Sequence, residues 1–341
     1  MVFADSLTKA GRLLEIQRMF WRSAGRGIRT ARIASELGIA PRTVRKYLTE
    51  LSGSGRLPLY RDGRRWRLVD NARLEMPPVT FLLEEATAVY LAARLLMQHA
   101  DQPNPSVRGA VGKLAAVVPR DLSPVFDLLV ERAACDASAP FAEIFQALAY
   151  GWALSRVVRL EYAPRSSGEP FACAFRPFLL EPSRLGAALY AIGRADPPGQ
   201  LRVFKAERIT SASLTMTTFT PPEDHDLLDR LDRAWGVWLT DEEPVEVRLR
   251  FAPDVAARVA ETRWHPSQRL ERLPNGGLEM SITIASTVEL LPWILGWGGH
   301  CEVLAPKRLR AEVAAELRCA ADRYSRGAGL PRRPAKPESG P

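Results

Sequence analysis

The 341-residue sequence predicts a multidomain α+β chain, and three observations carry that prediction. Apart from a hairpin pattern at 57–69, apolar residues recur at helical spacing through roughly the first 155 positions, and the period changes from Val157. Helix-type and strand-type segments interleave again after Pro244, and basic residues crowd the N-terminal end. At about 100–200 residues per domain, the length points to two or three domains. Hydrophobic residues make up 46% and charged residues 25%, a globular balance that excludes a chain disordered throughout. No run reaches ~18 uninterrupted apolar residues, so no membrane partner is expected. The N-terminus lacks an apolar stretch followed by a cleavage site, so no secretory leader is expected either. Cys135, Cys173, Cys301 and Cys319 lie far apart and form no CxxC, which leaves no zinc site and no disulfide framework and fits a reducing cytoplasm.

The net charge of +8 is unevenly placed. Residues 1–75 hold 16 basic against 7 acidic side chains, and residues 322–341 hold 5 against 2. The middle of the chain is mildly acidic, with 26 basic against 30 acidic. A small N-terminal unit therefore carries a concentrated positive field, which raises the expectation of a polyanionic partner there.

Leu7, Leu13, Leu14, Ile16 and Phe20 place a first helix at about residues 6–22. Thr30 is read as an N-cap ahead of a short helix through Leu37, closed by Gly38. Pro41 then opens a third helix to about Leu51. Its Val44, Leu48 and Leu51 face a core, and Arg42, Thr43, Arg45, Lys46 and Thr49 are left outside. Leu59-Tyr60 and Trp66–Val69 read as two strands around an Asp62-Gly63 turn, with Arg61, Arg64 and Arg65 at the tip. Two helices joined by a glycine turn and followed by a basic hairpin form a winged helix-turn-helix pattern. The stretch IRTARIASELGIAPRTVRKYLTELSGSGRLPLYRDGRRWRL resembles the winged helix-turn-helix of DeoR-type bacterial regulators. That pattern makes Arg42, Thr43, Arg45 and Lys46 the residues for the major groove of double-stranded DNA, and Arg61, Arg64 and Arg65 the wing residues for the backbone or adjacent minor groove.

Residues 76–155 are mostly helical by pattern, after Pro77-Pro78. Apolar-periodic stretches begin near Thr80 and recur at 107–118, 125–130 and 141–154. Their position marks them as a linker or dimerisation region. From Val158 the pattern alternates, with strands expected at 158–162, 171–180, 188–193 and 201–205, followed by Glu207-Arg208-Ile209. This is a β-rich module of Sm- or SH3-like barrel size, rich in arginine.

The run FRPFLLEPSRLGAALYAIGRADPPGQLRVFKAERI resembles the core of a WYL domain, the sensor module of many bacterial transcription regulators. Of the Trp-Tyr-Leu triplet only Tyr190 is present, within Leu189-Tyr190-Ala191. The R-x-F-x-x-x-R-I run is intact as Arg202, Phe204, Arg208 and Ile209. The resemblance implies an effector pocket with Tyr190 as an aromatic contact and Ser183 as a hydroxyl. Arg202, Lys205 and Arg208 would hold an anion, aided by Arg176 and Arg194, since a guanidinium fork matches phosphate oxygens.

Residues 221–232 read as an acidic connector whose His225 is a solvated loop residue and not a metal ligand, with Trp235 and Trp238 packing it against the body. Beyond it, the order βαββαβ plus a final helix predicts a ferredoxin-like module. It resembles the extension that follows WYL domains, including the run Leu290–Gly298. The domain layout is thus 1–75, 76–155, 156–220, 221–321 and a disordered tail at 322–341.

The whole is expected to be a cytoplasmic, homodimeric DNA-binding regulator that takes an anionic effector and needs no cofactor. The effector could be single-stranded nucleic acid, a nucleotide or a phosphorylated metabolite. A nucleotide-acting enzyme is the alternative from another class, but no Gly-rich phosphate loop, HExxH or GxSxG is present and no catalytic residue is assigned.

Overall fold

The structure, a computed structural model, describes residues 8–23, 27–54, 57–69, 76–99, 101–115, 139–165, 168–183, 188–222 and 225–326. The expected helix at 125–130, the end of the one at 107–118, Arg184, Cys135 and the tail beyond 326 lie outside the described residues. The chain divides into two compact units, residues 1–222 and 223–341.

The first unit opens with α1 (Lys9–Arg22), whose first-turn amide of Gly11 is capped by the Thr8 hydroxyl at 3.2 Å. A two-residue strand β1 (Ile28–Arg29) leads into α2 (Thr30–Leu37). Arg29 takes the N-cap position, so Thr30 is the first helical residue and not the cap expected of it. Gly38 ends α2 at φ +63°, a left-handed cap that glycine adopts without a Cβ penalty. Pro41 opens α3 (Pro41–Gly53), and the hairpin β2 (Leu59–Asp62) and β3 (Arg65–Leu68) follows. Asp62 pairs with Arg65 across the hairpin, so the turn residues are Gly63 and Arg64. β1 adds to β3 to give a three-stranded antiparallel sheet in the order β1-β3-β2. The head's core is built from Ile16, Phe20, Ile33, Leu37, Val44, Tyr47, Leu48, Leu51, Leu57 and Leu59, all buried.

Helices α4 (Leu83–His99), α5 (Pro105–Ala115) and α6 (Ala139–Ala153) come next. On α6, Phe141, Ile144 and Leu148 form one buried face, as spacing of three to four residues requires. That face packs on a five-stranded antiparallel sheet of β4 (Arg156–Tyr162), β5 (Phe171–Pro182), β6 (Leu189–Asp196), β7 (Gln200–Lys205) and β8 (Ile209–Thr218). The strand order is β7-β6-β5-β4-β8, and a 3-10 turn, Ala206–Arg208, links the two outer strands. Phe175, Phe204, Ala191 and Ala195 fill the sheet's core side, with Phe175 and Phe204 edge to face at 5.1 Å.

In the second unit α7 (His225–Asp232) is a helix, which corrects the loop expected at His225. The sheet of β9 (Val245–Phe251), β10 (Arg269–Arg272), β11 (Leu278–Ile284) and β12 (Cys301–Ala305) is antiparallel in the order β10-β11-β9-β12. Helices α8 (Pro253–Ala260), α9 (Leu290–Leu295) and α10 (Lys307–Arg326) complete it. Trp235, Trp264, Trp293 and Trp297 gather around Phe251. Trp235 is buried, but Trp238 is 55% exposed and does not pack as expected. The Glu289 carboxylate accepts the amides of both Val237 and Trp238 at 2.9 Å and fixes that turn. No helix of the described residues is long and apolar enough to cross a membrane.

One close approach sets the geometry where β5 meets β6. A Cβ on Gly193 would lie 2.0 Å from the Arg176 carbonyl oxygen and 2.8 Å from the Phe175 ring, so β5 and β6 meet there only because the residue is glycine. Gly193→Ala is therefore expected to destabilise the chain by about 2–3 kcal/mol through overpacking. Denaturant unfolding of the two proteins measures it, and equal midpoints would contradict the contact.

Candidate functional site

Two sets of cations stand out, one on the N-terminal head and one on the five-stranded sheet.

On the head, Arg42, Arg45, Lys46 and Thr49 recur along α3 at intervals of three and four, which puts them on a single stripe. The stripe lies opposite buried Val44, Tyr47, Leu48 and Leu51. Arg42, Arg45 and Lys46 are exposed and Thr43 is half-buried. Electrostatics sharpen the contrast. Glu36 pairs with Arg32 at 2.8 Å, Glu50 with Lys9 at 2.8 Å, and Asp62 with Arg67 at 2.7 Å. Glu15 serves Arg18 and Arg22, both at 3.4 Å. Every acidic residue described in the head is thus held by a base outside the predicted DNA-reading set. Among the described residues, Arg42, Arg45, Lys46 and Arg64 have no ion-pair partner. The wing arginines differ from one another. Arg61 is folded onto the carbonyl of Gly63 at 3.0 Å, and Arg65 reaches the carbonyl of Gly27 at 3.4 Å.

On the sheet, strand pairing separates the seven predicted effector residues. Tyr190 lies opposite Lys205, and Arg194 opposite Arg176, so these four share one face. Tyr190 and Arg194 sit at the two ends of that face, about 13 Å apart along β6 at ~3.3 Å per residue. Ile192, fully buried, lies between them. Arg202 pairs with Gly193 and has the parity of buried Phe204, so it belongs to the other face. Arg208 lies on the 3-10 turn, where its carbonyl accepts the Ala163 amide at 3.0 Å. Ser183 follows β5, its amide bonded to the Ala188 carbonyl at 2.8 Å. Leu189, in the triplet's first position, packs against the core.

The Arg176 end opens into a cavity of about 440 Å³ lined by Arg176, Arg194, Asp196, Phe178, Phe219 and Thr220. The Asp196 carboxylate stands 3.7 Å from the Arg176 guanidinium, and the Phe178 and Phe219 rings lie 5.8 Å apart. Neither phenylalanine is in the predicted effector set: Phe219 directly follows β8, a strand the sequence did not predict, and Phe178 lies on the expected strand β5 with no polar or charged group to mark it. At the other end Lys205 is ion-paired to Asp101, in the connection between α4 and α5. Nearby, Glu207 Oε1 accepts the Leu189 amide at 2.9 Å, while its buried Oε2 has no hydrogen-bond partner. Burial pushes the Glu207 carboxyl above the usual range, the Leu189 hydrogen bond opposing it. Among the described residues no group of three His, Cys, Asp or Glu could hold a metal ion.

A carboxyl raised on folding binds its proton more tightly in the native state, so stability falls as pH rises from the unfolded value through the native one. Glu207→Gln removes that loss. The difference in melting temperature between Glu207→Gln and the parent is expected to grow as pH rises out of the acidic range towards neutrality. A difference constant with pH would contradict the burial.

Residues 243–321 match the WCX domain family. The chain is 25% identical to Protein PafC of Mycobacterium tuberculosis over 344 aligned positions, covering 94% of this chain and 98% of that protein. Among solved structures it is similar to proteasome accessory factor B/C (PafBC) of Arthrobacter aurescens, at 23% identity and a TM-score of 0.27. That alignment covers 96% of this chain but only 48% of the other, so the chain spans about half the length of that relative. A CRISPR Cas-related protein is similar over 74% of this chain and 88% of its own, at 11% identity and a TM-score of 0.39. A match to the WCX domain family over residues 243–321 and a likeness to Protein PafC over 94% of the chain are thus what this sequence shares with known proteins.

Proposed function

We propose that the chain binds double-stranded DNA through α3 and the β2–β3 hairpin, and that the five-stranded sheet senses an anionic effector that alters this binding. The observation that carries the first half is the uncompensated stripe of Arg42, Arg45 and Lys46 on a helix whose opposite side is core. Cations without internal partners retain their full attraction for phosphate and release condensed counterions on binding. Thr43, Arg61, Arg64 and Arg65 complete the interface, with the helix entering the major groove and the hairpin following the backbone. On this reading residues 1–75 form a winged helix-turn-helix, supported by the element order and the left-handed Gly38 turn.

The sheet is read as an Sm- or SH3-like barrel at 156–220, supported by the strand order and the 3-10 turn joining its outer strands. The β10-β11-β9-β12 order supports a ferredoxin-like module at 221–321. Helices in 76–155 would link head to sensor and help form a cytoplasmic homodimer. Tyr190 and Lys205 at one end of the sheet, and Arg176 and Arg194 at the other, are the residues for an effector carrying phosphate or another anion. Arg202, Arg208 and Ser183 belong at its margins. The protein is read as a regulator and not as an enzyme.

The test is a gel-shift or anisotropy titration with a duplex from the protein's own promoter region. Replacing both Arg45 and Lys46 by glutamate is expected to weaken binding by about tenfold to a hundredfold, within the range for lost base and phosphate contacts. Both side chains are exposed, so the unfolding midpoint should stay within about 0.5 kcal/mol of the parent's stability. Unchanged duplex affinity would overturn the reading.

A further inference from the structure

The ion pair between Lys205 and Asp101 joins positions 104 residues apart, and no local sequence pattern connects them. Lys205 ends β7 directly across from Tyr190, within the group read above as an anion site. Asp101 sits in the short connection between α4 and α5, so it ties the helical region to the sensing sheet. The lysine side chain keeps 19% exposure and the aspartate 39%, which places the pair at a rim that solvent reaches. The adjacent Glu207 is engaged elsewhere, by the Leu189 amide, and sits on the 3-10 turn itself.

A carboxylate presents an ammonium with the same kind of partner that a phosphate does, a negatively charged oxygen. An ion pair this exposed is also weak, and a ligand carrying several charges can open it. We propose that Asp101 is an internal stand-in for the effector's anionic group. Ligand phosphate displaces it from Lys205, and the α4–α5 connection is thereby released from β7. The idea rests on the effector reading and adds what that reading lacks, a contact through which occupancy of the sheet reaches the helices. Coupling of this kind is reciprocal: whatever holds Asp101 on Lys205 weakens the ligand by the same factor.

The probe is a fluorescent, 5′-phosphorylated decathymidylate, with inorganic tripolyphosphate as an unlabelled competitor, titrated into the full chain without duplex. Asp101→Asn keeps the side chain's size and removes its charge, and it is expected to bind about fivefold more tightly than the parent because the internal competitor is gone. Lys205→Met is expected to bind more weakly. The exchange of Asp101→Lys with Lys205→Asp restores the internal pair, so it should keep the parent's unfolding midpoint while binding weakly. Amide exchange at positions 101, 102 and 104 of that connection should quicken in the ligand-bound parent, and in Asp101→Asn without ligand. If Lys205→Met weakens binding but Asp101→Asn binds no more tightly, the stand-in is overturned and the effector reading survives. If neither substitution changes binding, or no variant binds either probe, both are overturned.

Discussion

Among the described residues of the N-terminal head every carboxylate is committed to a base, and that constraint governs what the surface of α3 can do. Glu36, Glu50, Glu15 and Asp62 each hold a base at a distance of 2.7–3.4 Å. None of these four described carboxylates is left over for α3. Its outer stripe therefore repels itself, a destabilising effect that the buried cluster around Ile16, Phe20, Val44 and Leu48 has to offset. A polyanion laid along the stripe relieves that repulsion, so affinity and stability are served by the same contact. The wing contributes differently, because Arg61 and Arg65 are partly held by backbone carbonyls and only Arg64 stands clear at the turn.

The five-stranded sheet follows a different logic. Its core side is closed by α6 and by the rings of Phe175 and Phe204, which leaves one side for polar groups. On that side buried Ile192 divides the cations into an Arg176–Arg194 end and a Tyr190–Lys205 end. Each end already holds an internal carboxylate, Asp196 at the first and Asp101 at the second. An anion that bound at either end would therefore compete with a carboxylate the protein itself supplies.

Much of this was legible from spacing alone. The α3 stripe, the Gly38 turn and the Pro41 start follow from helical period and backbone preference, and the structure places all three as read. That Arg202 faces away from Tyr190 was also legible, since it is two residues from the core side chain Phe204 on the same strand. What escaped has physical reasons. β1 is two residues long, too short for any period to register. β8 is the run ITSASLTMTT, where Ser and Thr blur the alternation that would mark an edge strand. α7 was masked by its acidic residues, although Leu227, Leu228 and Leu231 fall at helical spacing. Asp101 meets Lys205 only through tertiary folding, and no local rule reaches across that separation.

Duplex binding is proposed to run through Arg42, Arg45, Lys46 and Arg64, which have no ion-pair partner among the described residues, with Arg61 and Arg65 of the hairpin beside them. The most direct measurement is the affinity of the full chain for duplex as a function of salt concentration. With Arg42, Arg45, Lys46, Arg61, Arg64 and Arg65 engaged, log affinity should fall linearly against log salt with a slope of about −5 per head. A slope near zero would contradict it.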